Sequence, residues 1–376
     1  MPGLLKDIDP NGLLEYSVVY TDRALNHMSA RFQGVMRGIS QILKTTYNAQ
    51  NAIVVPGSGS FGMEAVARQF ATGQKCLVLR NGWFSYRWTQ ILEMGQIPAQ
   101  AQVLKAQRAE TGPTAPFSPA PLQEVLSAIR DMQPAVVFAP HVETASGMML
   151  PDAYLQAVSE AVHAVGGIFV LDCIASGAMW VDMAACGVDV LISAPQKGWS
   201  GSPCCAFVML SPAARERIEH TTSTSFACDL RKWLQIMETY ESGGHAYHAT
   251  LPTDALTRTL AVMQETQSHG LPFLRQAQQN LGDSVRSLMV KNGFPSVAAP
   301  GFQAPGVVVS YTTDPDIHTG KKFMAVGLQT AAGVSLQCDE GADYRSFRIG
   351  LFGLDKLLDV DATVARLASA LKDVQR

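Results

Sequence analysis

The sequence predicts an α/β fold in which helices cover a mostly parallel sheet on both faces. Six short apolar runs, rich in β-branched residues, recur through the first 210 residues, and helix-like patterns follow several of them. The chain has 376 residues and is 47% apolar, which is enough for a large buried core. Uninterrupted apolar strands need cover on both faces, as in parallel sheets. The runs are AIVV (52–55), CLVL (76–79), AVVF (135–138), GIFVL (167–171), VLIS (190–193) and CAFVML (205–210).

Helical segments follow the first three runs. They are MEAVARQF (63–70), WTQILEM (88–94) and YLQAVSEAVHAV (154–165). Past residue 255 the pattern changes to longer helices and two isolated strands. Helices are predicted over 254–269, 272–290 and 359–372, and strands over 306–310 and 346–352. We therefore predict an N-terminal segment (1–25), a large domain (26–255) and a smaller C-terminal α+β domain (256–376).

Composition narrows the class of protein. The 29 basic and 32 acidic residues give a net charge of −3, which argues against a nucleic-acid-binding protein. No run approaches the roughly 20 apolar residues of a membrane span, and the start MPGLLKDIDP has acids where a signal peptide needs an apolar segment. The seven cysteines are irregularly spaced, as reduced thiols are. We expect a cytoplasmic protein that contacts neither nucleic acid nor membrane.

A glycine-rich turn follows the first strand. In PGSGSFGMEAV, Gly57, Gly59 and Gly62 fit the G-x-G-x-x-G template of a dinucleotide-binding turn. The template also expects an acid at the end of the next strand, where Arg80 and Asn81 stand instead. A Gly/Ser loop that enters a helix still offers free N–H groups to an anion, so we predict phosphate binding here. A tight turn without a ligand remains the alternative.

Two charged residues stand alone in apolar surroundings. Asp172 ends the run GIFVLD and is the only charged residue between Glu160 and Asp182. A lone carboxylate in such surroundings is costly unless it is paired; a structural role in capping the next turn is the alternative. Lys197 is the only charged residue from Val190 to Ala214.

A lysine removed from water loses proton affinity and can form a Schiff base with a carbonyl. Most lysines are solvated surface residues, but those usually have charged neighbours in sequence. A phosphate loop, a buried carboxylate and a buried lysine together suggest pyridoxal phosphate, with Asp172 on the pyridine nitrogen and Lys197 on the aldehyde.

Two further candidates carry less specific signals. His141 and Glu143, with Cys204 and Cys205, superficially match a zinc deaminase signature, but the cysteines are adjacent rather than three positions apart, so we predict no metal. Arg348 lies in YRSFRIGLFG, on the opposite side of a strand from its apolar residues. It suits bidentate capture of a substrate carboxylate, with a rim salt bridge as the alternative.

These motifs resemble the class V (fold-type I) pyridoxal-phosphate aminotransferases, closest to the alanine–glyoxylate and serine–glyoxylate group. The resemblance runs from about Asn26 to the C-terminus, and its most specific stretch is HVETASG…VLDCIASG…DVLISAPQKGWSGSP. It implies a seven-stranded-type sheet, a homodimer with shared active sites and these cofactor-binding residues: Ser58, Gly59, Ser60, Phe84, Thr144, Asp172, Gln196, Lys197, Tyr247 and Thr250. Lys197 and Asp172 would be catalytic. Phe84 would stack on the ring, and Tyr247 and Thr250 would reach the partner's phosphate.

One segment departs from the family pattern. Members commonly carry Gly-Pro-Gly before the helix matching NHMSARFQGVM, whereas this chain reads LEYSVVYTDRAL. That segment borders the substrate in the family, so Tyr20 or Arg23 are the candidates to replace its contacts.

The resemblance implies a ping-pong transaminase that moves an amino group from a small amino acid, of the alanine or serine type, to a small 2-oxo acid such as glyoxylate or pyruvate. Arg348 would bind the substrate carboxylate. The alternatives are a pyridoxal-phosphate lyase or desulfurase on the same fold, an NAD-dependent dehydrogenase, or a non-enzymatic member.

Overall fold

The computed structural model describes residues 8–375. Within them the longer helices are α1 (Ala30–Tyr47), α2 (Gly59–Phe70), α3 (Trp83–Met94), α4 (Leu122–Met132), α5 (Asp152–Ala164), α8 (Leu230–Glu241), α9 (Thr253–Ser268), α10 (Leu271–Lys291) and α14 (Val360–Val374). The short ones are α6 (Met183–Cys186), α7 (Pro212–Arg217), α11 (Pro315–His318), α12 (Lys321–Ala325) and α13 (Leu354–Leu357).

The strands form one large sheet and three small ones. The large sheet contains β1 (Asn51–Pro56), β2 (Lys75–Arg80), β3 (Gln100–Lys105), β6 (Val136–Pro140), β9 (Ile168–Asp172), β10 (Val190–Ser193) and β11 (Cys205–Leu210). A second sheet contains β12 (Val307–Tyr311), β13 (Ala331–Ala332) and β14 (Ser346–Gly350). The two-stranded sheets pair β4 (Gln107–Arg108) with β5 (Phe117–Ser118) and β7 (Val142–Glu143) with β8 (Met148–Met149).

The large sheet has the order β1-β11-β10-β9-β6-β2-β3. Strands β10, β9, β6, β2 and β3 are parallel to one another, and β11 runs antiparallel to both β1 and β10. All six apolar runs are strands of this sheet, and the predicted α/β fold is confirmed. Strand β3 was not predicted, because its residues are exposed or half-buried and do not form a continuous apolar run.

Helices pack on both faces and bury the strands almost completely. Trp88 of α3 lies 4.3 Å, centroid to centroid, from Phe138 of β6. Strands β6, β9, β10 and β11 are buried at every position. This cover explains why their sequences read as continuous apolar runs rather than alternating ones.

The predicted C-terminal elements are present as α9, α10, α14, β12 and β14. The domain boundaries at residues 25 and 255 stay a prediction. No helix within residues 8–375 is long and apolar enough to cross a membrane.

Candidate active site

A cavity of about 440 Å³ opens where β9 and β10 end and where α2 and α3 begin. The carboxyl ends of parallel strands are the usual binding edge of such sheets. A larger depression of about 990 Å³ lies along residues 9–17 and the start of α1, but neither Lys197 nor Asp172 lines it. The smaller cavity contains nine of the eleven predicted site residues: Ser58, Gly59, Ser60, Phe84, Thr144, Asp172, Gln196, Lys197 and Arg348.

The glycine turn closes one end of this cavity. Gly57 has φ +117°, a conformation that L side chains rarely adopt, and its N–H donates to the Cys204 carbonyl at 2.9 Å. A Cβ at Gly59 would lie 2.5 Å from Ile174 Cδ1, and one at Gly62 would lie 2.4 Å from the Ala206 Cβ on β11. Two of the three glycines therefore serve close packing, which accounts for the dinucleotide-like spacing without a dinucleotide. The first N–H groups of α2 remain at the cavity wall for an anion.

Asp172 lies at the carboxyl end of β9 and is only 8% exposed. Its Oδ1 accepts a hydrogen bond from the Ile174 N–H at 2.9 Å. Burial, with a further contribution from the nearby charge of Glu143, raises the pKa of Asp172 to about 7. A protonated ring nitrogen opposite this carboxyl would stabilise its ionised form, so the environment fits the pyridine end of pyridoxal phosphate.

Lys197 lies in the loop between β10 and β11, half-buried. Burial, together with the positive charge of Arg348, lowers its pKa, which favours the neutral amine that attacks a carbonyl. Packing fixes the loop at the two residues that follow the lysine. A Cβ at Gly198 would lie 2.2 Å from the Gly177 carbonyl oxygen, and the ring of Trp199 lies 4.5 Å from that of Trp180.

Gln196 precedes the lysine and lines the same cavity. Its side-chain oxygen is buried and has no hydrogen-bond partner within residues 8–375. A buried amide oxygen without a partner can accept a hydrogen bond from an N–H or O–H group of a ligand. With Asp172 and Lys197, it makes this donor set fit pyridoxal phosphate.

Glu143 is a residue whose positioning role the sequence analysis missed. It is fully buried and accepts hydrogen bonds from the Phe84 N–H (3.3 Å), the Ser85 N–H (2.8 Å), the Ser85 hydroxyl (2.7 Å) and the Ala145 N–H (2.9 Å). It therefore ties the start of α3, which carries Phe84, to the segment that carries Thr144. The available signal was an acid enclosed by apolar residues, the same signal that identified Asp172.

His141 and Glu143 do not form the metal pair that their spacing superficially suggests. The His141 Nδ1 lies 2.7 Å from the Ser176 hydroxyl, and burial lowers the pKa of His141 to about 3. Because Glu143 bonds to the start of α3, the two side chains serve different protein partners.

The β14 strand brings Arg348 to the cavity. Its Nε donates to the Ala332 carbonyl at 2.8 Å, and its guanidinium carbon lies 5.5 Å from the centre of the Phe84 ring. The cavity residues that were not predicted include one charged residue, Arg87, and one aromatic residue, Phe352. The Phe352 ring lies 5.3 Å from the Lys197 Nζ.

Tyr247 and Thr250 do not line this cavity. Tyr247 is 56% exposed, and its hydroxyl lies 3.3 Å from the Thr250 hydroxyl. Tyr20 and Arg23 also lie outside the cavity: the Tyr20 hydroxyl donates to the Leu251 carbonyl, and Arg23 pairs with the neighbouring Asp22. These four predicted contact residues therefore do not line the cavity of their own chain.

The chain is similar to several known proteins. The sequence model of the family described as aminotransferase class-V matches residues 13–307. The chain is 26% identical over 354 residues to the small subunit of a soluble hydrogenase from Synechococcus sp. (strain PCC 6716), covering 93% of this chain and 88% of that protein. It is 29% identical over 253 residues to the L-aspartate–glyoxylate aminotransferase of Paracoccus denitrificans, covering 67% and 60% of the two chains.

A solved structure supports the same fold. The alanine–glyoxylate aminotransferase of Nostoc sp. superposes with a TM-score of 0.77 over 94% of this chain and 89% of that one, at 21% identity. At this identity the likeness concerns the fold.

Proposed function

This chain belongs to the class-V aminotransferase family and uses pyridoxal phosphate. From that premise we propose that it transfers the amino group of a small amino acid, such as alanine or serine, to a small 2-oxo acid, such as glyoxylate or pyruvate. The observation that carries the proposal is that the Lys197 amine, the Asp172 carboxyl and the Arg348 guanidinium line one cavity.

Bound pyridoxal phosphate supplies an aldehyde that condenses with amines and a ring that withdraws electrons from the substrate α-carbon. The ionised Asp172 holds a proton on the ring nitrogen, because a neighbouring negative charge raises the pKa of that nitrogen. The Lys197 amine would move the proton between the substrate α-carbon and the carbon that the cofactor aldehyde supplies, and the lowered pKa of Lys197 favours its basic form. Ping-pong kinetics follow, since one cofactor carries the amino group between two substrates.

The dimensions of the cavity support a small substrate. Its volume of about 440 Å³ has to hold the cofactor as well as the amino acid. The Arg348 guanidinium offers charge-assisted hydrogen bonds to a carboxylate, and Phe352 occupies the space beside the reacting amine. Both features favour a short carboxylated donor.

We further propose a cytoplasmic homodimer in which Tyr247 and Thr250 contact the phosphate bound by the partner subunit. The exposed positions of these two residues, outside their own cavity, support this arrangement, as do the 50% exposed Phe61 and the 75% exposed Phe226. All seven cysteines are unpaired, as in a reducing compartment.

A desulfurase on the same fold would need a cysteine thiol at the reacting centre to accept the sulfur. None of the cavity-lining residues in the described part of the chain is a cysteine. The nearby Cys173 is fully buried, and burial raises its pKa well above the ordinary value. The transaminase therefore remains the better-supported function.

A half-reaction screen tests the proposal. Candidate amines are mixed one at a time with the purified holoprotein, and conversion of the aldehyde form of the cofactor to pyridoxamine phosphate is followed by absorbance. We expect alanine or serine to convert the wild type, and Lys197→Ala neither to react nor to be labelled by borohydride reduction. Failure of the wild type to react with any small amino acid would contradict the proposed function.

A further inference from the structure

Arg87 is a charged cavity residue to which the sequence analysis assigned no role. It lies one helical turn after Phe84 on α3, so both side chains face the cavity. Its Nη1 donates to the Ser60 hydroxyl at 2.9 Å, and its guanidinium carbon lies 5.4 Å from the centre of the Phe84 ring. Ser60 is the second residue of α2, so Arg87 is held at the glycine-turn end of the cavity.

The guanidinium of Arg87 has spare binding capacity. Within residues 8–375 its one hydrogen bond is to Ser60, and no carboxylate lies within ion-pair distance. The buried Arg80 on β2 differs: it donates to the Gln337 carbonyl and the Thr89 hydroxyl and lies over the Tyr86 ring. Arg80 is therefore satisfied by the protein, whereas most of the five donors of Arg87 remain for a ligand.

The charges that line the cavity also favour the binding of an anion beside Arg87. Arg87, Lys197 and Arg348 are basic, and Asp172 is the one acidic residue in the lining. The two arginines are held by different elements, since Arg348 bonds to β13 and Arg87 bonds to α2. The charge of Arg87 also acts on Asp172, where it opposes the rise in pKa of that carboxyl, but the bond to Ser60 holds the guanidinium at the start of α2.

We propose that Arg87 binds the 5′-phosphate of pyridoxal phosphate as its main counter-charge, acting with Ser60 and the N-terminal amides of α2. The neutral amides and hydroxyls of the glycine turn supply hydrogen bonds, and the helix end contributes the equivalent of about half a charge. A phosphate carrying nearly two negative charges needs more, and a planar guanidinium is suited to supply it bidentately. This inference rests on the cofactor assignment made above.

Two forms of vitamin B6 isolate the phosphate contribution. The full-length protein, freed of cofactor, is titrated with pyridoxal phosphate and with pyridoxal, which has the same aldehyde and ring but no phosphate. We expect Arg87→Gln to weaken pyridoxal phosphate binding by about 10- to 100-fold, the range for a hydrogen bond to a charged group. Pyridoxal binding should change by less than about twofold, because it lacks the group that Arg87 contacts.

Matched variants separate charge from folding. Arg87→Lys keeps the charge and should retain most of the affinity for pyridoxal phosphate. Arg348→Gln removes the other arginine of the cavity, which bonds to β13 rather than to α2, and should leave the ratio of the two dissociation constants as in the wild type. Since the ratio is measured within one protein, a general loss of stability does not imitate the expected result.

Three outcomes would overturn the inference. The first is a wild-type ratio in Arg87→Gln. The second is an equal loss of affinity for both vitamers, which would indicate support of Phe84 rather than phosphate binding. The third is an unchanged affinity for the cofactor together with a KM that is raised only for amino donors with a second acidic group. That result would make Arg87 a substrate-binding residue. A wild-type protein that bound neither vitamer would instead refute the proposed function itself.

Discussion

The buried Asp172 should make the stability of the cofactor-free protein depend on pH in a way that Asp172→Asn removes. Burial raises the pKa of this carboxyl from 3.8 to about 7. In the unfolded chain the group is solvated and ionises near its ordinary value. Because the folded value is the higher one, the stability that the protonated carboxyl contributes is fully present below about pH 4 and is lost as pH rises to about 7.

The size of the effect follows from the shift in pKa. Each pKa unit corresponds to about 1.4 kcal/mol, so the complete titration amounts to about 4 kcal/mol. Most of that, about 3 kcal/mol, falls between pH 5 and pH 8. The neutral amide in the Asp172→Asn variant has no such titration, so the variant should gain about 3 kcal/mol relative to the wild type over the same interval.

Urea unfolding followed by tryptophan fluorescence measures this difference. Both cofactor-free proteins are unfolded at pH 5 and pH 8, and the change in the free energy of unfolding is compared, so that all other titrating groups cancel. Adding pyridoxal phosphate should remove much of the wild-type loss at pH 8, since the ionised carboxyl then faces a protonated ring nitrogen. Equal pH dependence in the two cofactor-free proteins would refute the assignment of a raised pKa to Asp172.

Three further predictions concern other residues of the site. Glu143→Gln should lower the free energy of unfolding by about 3 kcal/mol. The reason is that the new NH₂ group faces hydrogen-bond donors, where the carboxylate accepted four hydrogen bonds. A loss below about 1 kcal/mol in urea unfolding would contradict this prediction. Arg348→Gln should raise the KM of a carboxylated amino donor by at least about tenfold while sparing the affinity for pyridoxal phosphate, and an unchanged KM would remove its carboxylate-binding role. If Tyr247 contributes to the partner's site, Tyr247→Phe and Lys197→Ala should each lower activity. Mixed dimers of the two variants should contain one intact site and regain activity. No gain in activity on mixing would show that the sites are not shared.

Most strands of the large sheet could be predicted because they are buried on both faces and therefore consist of apolar residues. A strand such as β9, covered on both faces, has to be apolar at every position, and that pattern is visible without any long-range information. Strand β3 is exposed or half-buried along its length, so its sequence need not be apolar and it was missed. The small β13 (Ala331–Ala332) is exposed and is defined only by its pairing with β14, so its sequence carries no signal.

The residues of the candidate site also fall into those that the sequence could identify and those that it could not. Asp172 and Lys197 stood out because an isolated charge among apolar residues is costly without a partner. Glu143 met the same condition, but it was considered only as a metal ligand, since its partner, the start of α3, lies 58 or more residues away in sequence. Arg87 gave no local signal, because an arginine on a helix is ordinarily a surface residue.

The sequence by itself determined which residues carry chemistry and which runs become buried strands, because desolvation constrains each residue locally. Only the tertiary structure decided which charges share a cavity and which lie outside it. Arg87 meets Ser60, and Tyr247 is left exposed away from Lys197, because those distances depend on how α2, α3 and β14 pack against the sheet. That packing is a property of contacts between residues far apart along the chain, which no local pattern contains.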